Sequence, residues 1–114
     1  MLKIILLSGL IISTLFISPT AEANLSLRVC EYVQANDKNR LRSFLKQNNL
    51  KVRKIYNGLL CNQSTLLVFA AKSNALEVGE FIIGKLPAKI VASELDDIAK
   101  HSAHLAEEAK DRIN

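Results

Sequence analysis

The sequence predicts a mainly α-helical protein, made of short helix pairs, a short hairpin loop and a long C-terminal helix that caps them. Three observations carry this expectation. Two stretches place apolar residues at helical spacing, each interrupted midway by polar residues. Between them stands Asn57-Gly58 with apolar flanks, and after them runs a tail whose apolar residues are small.

The clearer pair comes second. Thr65, Leu66, Leu67, Ala70 and Ala71 form one short face, Ser73-Asn74 breaks it, and Leu76, Val78, Phe81, Ile82 and Ile83 form the next, which Pro87 closes. Helices this short are unstable alone and must pack on each other. Ser64 to Leu86 resembles one ankyrin repeat. Thr65, Leu67 and Ala70 stand at that family's threonine, leucine and alanine, and Asn74 takes the place of its inter-helix glycine. Val78, Ile82 and Ile83 fill the apolar positions of the second helix. Asparagine tolerates the left-handed backbone that glycine would supply. Leu66 and Val68 depart from the family's proline and histidine, and Leu86 from a later glycine.

A fainter copy lies earlier in the chain. There Val29, Cys30 and Val33 match Leu66, Leu67 and Ala70, and Asp37, Leu41, Phe44 and Leu45 match Asn74, Val78, Phe81 and Ile82. The offset is slightly longer than the ankyrin period of about 33 residues. The surplus falls in the connection from Leu50 to Asn62, where Asn57-Gly58 between Val52, Ile55, Tyr56 and Leu59, Leu60 predicts a hairpin.

From about Lys89 to Arg112 the pattern predicts a single helix. Ser93 is placed to cap it with Asp96 three residues on, and Ala92, Leu95, Ile98, Ala99, Ser102, Leu105, Ala106, Ala109 and Ile113 make its apolar stripe. A stack of two repeats leaves one apolar flank open, which this helix is expected to cover. The expected organisation is a leader over 1–23, a helical domain with one disulfide over 24–88, and the C-terminal helix over 89–114.

The leader is read from Lys3, the apolar run Ile4 to Ile17, and Ala21-Glu22-Ala23 as a small-residue exit. A membrane span takes roughly 20 apolar residues, more than this run supplies, and Pro19 is expected to end any helix there. The expected location is therefore periplasmic or secreted, with no transmembrane segment after processing. Two cysteines remain, Cys30 and Cys61. In an oxidising compartment such a pair is expected to form a disulfide, whereas redox and metal sites use closer spacing.

The segment Cys61-Asn62-Gln63, followed by Leu66-Leu67, gives residues 24 to 90 a second resemblance. It is similar to a family of small exported bacterial proteins of unknown function with a spaced cysteine pair and a Cys-Asn-Gly-like segment. Gln63 departs from that family's glycine. The resemblance implies no activity.

The leader contains Lys3 and Glu22, so its removal leaves the formal net charge at +4. Lys38, Arg40, Arg42, Lys46, Lys51, Arg53, Lys54 and Lys72 fall between Asp37 and Glu77 with no acidic residue among them. Lys38, Arg42 and Lys46 recur every fourth residue, and Lys51, Arg53 and Lys54 follow, so these six are the candidate binding patch. Its expected partner is another envelope protein, or an anionic envelope component such as lipid or polysaccharide. Nucleic acid is disfavoured by the compartment and by the scarcity of aromatic residues for stacking.

No catalytic constellation emerges, and no cofactor or metal is expected. Asp97, His101, His104 and Glu108 share one helix face, but that face lies opposite the apolar stripe and should meet water. No glycine-flanked serine sits at a strand-to-helix turn, and Glu77 and Glu80 read as surface charges. The four glycines are scattered singly, so no phosphate-cradling loop is present. The sequence therefore points to a non-enzymatic protein interaction module, with an envelope-surface factor for anionic lipid or polysaccharide as the alternative.

Overall fold

The computed structural model describes residues 17–114, with side chains from residue 24 onward. Most of the expected leader thus lies outside the described residues. The helices are α1 Ile17–Gln34, α2 Lys38–Gln47, α3 Val52–Ile55 running into a 3₁₀ turn at Tyr56–Gly58, α4 Leu66–Lys72, α5 Leu76–Lys85, α6 Ala88–His101 and α7 Ala103–Ile113. The fold is mainly α, as expected. Helix α1 runs through Pro19, so the helix end expected at that proline is not found. Among the described residues no helix is long and apolar enough to cross a membrane.

The helices pack as three successive pairs, α1 with α2, α4 with α5, and α6 with α7. Each layer meets the next through like members: α1 and α2 lie against α4 and α5, which in turn lie against α6 and α7. The central position explains α4. Every residue from Leu66 to Ala71 is buried, because neighbours cover more than one of its faces.

Local chemistry sets the helix ends. Asp37 caps α2 by accepting from the Arg40 N–H, and Thr65 caps α4 by accepting from the Val68 N–H. Three helices end on an asparagine with left-handed backbone: Asn36 at φ 55°, Asn49 at 56° and Asn74 at 54°. After each, the chain reverses with an N–H returning to a carbonyl five residues back: Asp37 to Tyr32, Leu50 to Leu45 and Ala75 to Ala70. Asn74 therefore adopts the conformation expected of it. Its counterpart in the first pair is Asn36, one residue before the expected Asp37, which serves as the cap instead.

The connection differs from expectation. Val52 and Tyr56 are buried one helical turn apart, so the segment coils to bury them and Asn57-Gly58 closes a 3₁₀ turn, not a hairpin. The tight reversal falls at Asn62-Gln63. Cys61 and Ser64 exchange both backbone hydrogen bonds, at 2.8 and 2.9 Å, around two residues at φ 50° and 68°. Two consecutive positive φ values make the type I′ geometry of a two-residue loop. Cys30 and Cys61 are joined by a disulfide across 5.6 Å between Cα atoms, fixing this turn to α1.

The C-terminal segment is two helices, not one. Ser102 leaves helical geometry at φ −152° and ψ 108°, and its hydroxyl oxygen caps α7 by accepting from the Leu105 N–H at 3.1 Å. The break lets α7 fold back along α6, so both find a partner in the layer beneath. Pro87 precedes α6 directly, and Ser93 sits inside it, donating its hydroxyl to the Ile90 carbonyl. The buried face is Val91, Ile98, Ser102, Leu105, Ala106 and Ala109, while Ala92 and Ala99 are exposed. Bending the chain at Ser102 resets the helical phase, which a continuous stripe could not show.

Two interactions lock the layers. Asn36 Oδ1 accepts from the Val78 N–H at 3.0 Å, capping α5, whose own N-cap residue Ala75 has no side-chain acceptor. Tyr56 is buried and donates its hydroxyl to Glu94 of α6 at 2.9 Å. Burial, reinforced by the Glu94 carboxylate, pushes the Tyr56 phenol well above its ordinary range and keeps it a donor.

Candidate functional site

A cleft of about 680 Å³ opens where α2, the Leu50–Arg53 segment, the end of α5 and the last turn of α7 meet. Its apolar lining includes Leu45, Leu50, Val52, Phe81 and Leu86. Around these stand Arg42, Lys46, Lys51, Arg53, Lys85 and Arg112, and among the described residues no acidic one lines the cleft. Among the described residues, none of these six cations is paired with a carboxylate.

Secondary structure places each of them. Arg42 and Lys46 sit one turn apart on α2, each following a buried leucine, Leu41 and Leu45. Lys51 and Arg53 flank Val52, which is buried and turns its neighbours outward. Lys85 ends α5 with its ammonium 5.7 Å from the centre of the Phe81 ring, a cation–π contact that holds the charge over the apolar lining. Arg112 reaches back from α7 and donates to the Leu86 carbonyl at 2.9 Å, which fixes the guanidinium at the rim.

Like charges gathered without counter-charges repel one another, by a few tenths of a kcal/mol for an adjacent helical pair such as Arg42 and Lys46. An anionic ligand with an apolar part would relieve that repulsion and cover the apolar lining at once.

The six predicted patch residues do not share one surface. Arg42, Lys46, Lys51 and Arg53 line the main cleft. Lys54 points to a separate, smaller cleft with Leu25, Val29 and Leu59, and Lys38 lies on another face beside Asp37 and Glu77. Helix α2 and the coil of α3 rotate these two away. Sequence reasoning missed Lys85, Arg112 and Phe81. Their only signal was position in other elements, because layer stacking alone brings them to the cleft.

The stretch from residue 29 to residue 93 matches the family described as "Protein of unknown function (DUF3718)". The chain belongs to this family. Its matched region holds both disulfide cysteines and every cleft residue except Arg112. The resemblance to proteins of unknown function with a spaced cysteine pair is met in the family's unknown function and in the formed Cys30–Cys61 bond. No curated protein and no solved structure matches the chain.

The acid and histidine set predicted on the tail is divided by the break at Ser102. Asp97, on α6, pairs with Lys100 at 3.1 Å. His104 and Glu108, on α7, gather instead with Glu80 of α5, and His104 Nε2 contacts Glu80 Oε2 directly.

Proposed function

We propose that this DUF3718 protein is an exported, non-catalytic interaction module whose cationic cleft receives an acidic, partly apolar segment of another envelope protein. One observation carries the reading: six cations, without counter-charges among the described residues, surround an apolar lining in a single cleft. The volume suits a few side chains of a peptide, and the mixed lining matches a segment that alternates acidic and apolar residues. Export is supported by the apolar leader in the sequence and by the disulfide, which belongs to oxidising compartments. The stacked helix pairs support the interaction role, since such layers present surfaces and seldom perform chemistry. The ankyrin resemblance of Ser64 to Leu86 points the same way.

The test is site-specific crosslinking in the cell envelope, with a photoreactive side chain at Gly84, which opens onto the cleft and has free space beside it. A discrete protein adduct is expected, lost when Arg42, Lys46 and Arg53 are together replaced by glutamine. An adduct pattern unchanged by that replacement would overturn the reading. Adducts carrying lipid or polysaccharide, fading as salt rises, would replace it with the envelope-surface alternative.

A further inference from the structure

We propose that Glu80, His104 and Glu108 form a three-ligand site for a divalent transition-metal ion of the zinc class, tying α5 to α7. One ligand atom from each lies within 4.8 Å of the other two. An imidazole with two carboxylates suits zinc and its neighbours in the first transition row, whereas magnesium and calcium favour oxygen alone.

The site is built by packing and not by chance proximity of long side chains. Glu80 follows Gly79, and His104 precedes Leu105. Gly79 and Leu105 mark a very close approach of the two helices: a Cβ on Gly79 would lie 2.6 Å from Leu105 Cδ1. Leu105 is fully buried, so the helix spacing beneath the ligands is fixed. His104 and Glu108, four residues apart, project from the same face of α7 toward Glu80. Zinc bonds of about 2.0 to 2.2 Å draw ligand atoms to roughly 3.5 Å apart. The side chains of Glu80 and His104 are 44% and 49% exposed, free enough to close the remaining gap by rotamer adjustment.

Charge supports the same ligand. Among the described residues, neither Glu80 nor Glu108 pairs with a lysine or arginine, so two carboxylates face one imidazole. Zinc would take the place of the hydrogen lying between His104 Nε2 and Glu80 Oε2, and the neutral imidazole would carry its N–H at Nδ1 instead. Three protein ligands leave a fourth position open to water or to a ligand brought by a partner.

The experiment is calorimetric titration of the purified, oxidised protein with zinc chloride, together with thermal melting. One ion per chain and a raised melting temperature are expected. Glu80→Gln and His104→Ala should each weaken binding about tenfold or more and abolish the thermal shift. His101→Ala, which keeps all three ligands, should bind as the unaltered protein does. Circular dichroism verifies folding of each variant. The proposal is overturned if zinc does not bind, if His104→Ala binds it as tightly as the unaltered protein, or if Glu80→Gln leaves the thermal shift intact.

Discussion

Gln63 shows how one residue can carry a legible strain. Its φ of 68° is left-handed, and a side chain there costs about 1 to 2 kcal/mol relative to the right-handed region. The sequence identified Gln63 as standing where a Cys-Asn-Gly-like segment has glycine, and the turn explains the glycine: Asn-Gly is the favoured pair for type I′. Gln63→Gly should therefore stabilise the protein by about 0.5 to 1 kcal/mol in urea unfolding, the extra chain entropy of glycine reducing the gain. Asn36 has two roles that substitution separates. Asn36→Gly keeps the left-handed turn and removes the cap on Val78, and should cost about 1 kcal/mol. Asn36→Ala loses both, and should cost about 2 kcal/mol or more. Equal stability of Asn36→Gly and the unaltered protein would show that the N-terminus of α5 does not need this acceptor.

At the scale of elements, two glycines on α5 have opposite sensitivity. Gly79 lies against Leu105, whereas Gly84 has nothing within 4 Å of where its Cβ would be. Gly84→Ala should raise stability by about 0.5 to 1 kcal/mol through helix propensity. Gly79→Ala should lower it by about 1 to 3 kcal/mol, since overpacking against a buried leucine outweighs the same propensity gain. Melting temperatures that move in the same direction for both would refute the close approach of α5 and α7. Helix existence was legible in the sequence because apolar spacing reports it directly, as at Leu76 to Ile83. The break at Ser102 was not. Ser102 sits in phase with the stripe from Ile98 to Ala109, and only the capping bond to Leu105 and the packing of α7 on α5 end the helix there. The hairpin expectation failed for a related reason: Asn57-Gly58 signals a turn, but burial of Val52 and Tyr56 at helical spacing decides which turn.

The whole molecule depends on one covalent tie between its first layer and the turn that starts the second. Replacing Cys30 and Cys61 together by serine should cost about 3.5 to 4 kcal/mol in chemical unfolding, as the bond closes a separation of 31 residues. A loss under about 1 kcal/mol would mean that the apolar core alone holds the layers. The candidate site was half legible at this scale. Arg42, Lys46, Lys51 and Arg53 were predicted because they crowd one segment, while Lys85 and Arg112 join them only through stacking of the layers. The proposed binding therefore rests on charge brought together by tertiary structure. The most direct measurement is the affinity of a labelled peptide of alternating glutamate and leucine for two variants with equal charge loss. Replacing Arg42, Lys46 and Arg53 by glutamine should weaken binding about tenfold or more, whereas replacing Lys38, Arg40 and Lys54 should leave it within about twofold. Equal weakening by both variants would contradict the account, because net charge and not the cleft would then hold the ligand.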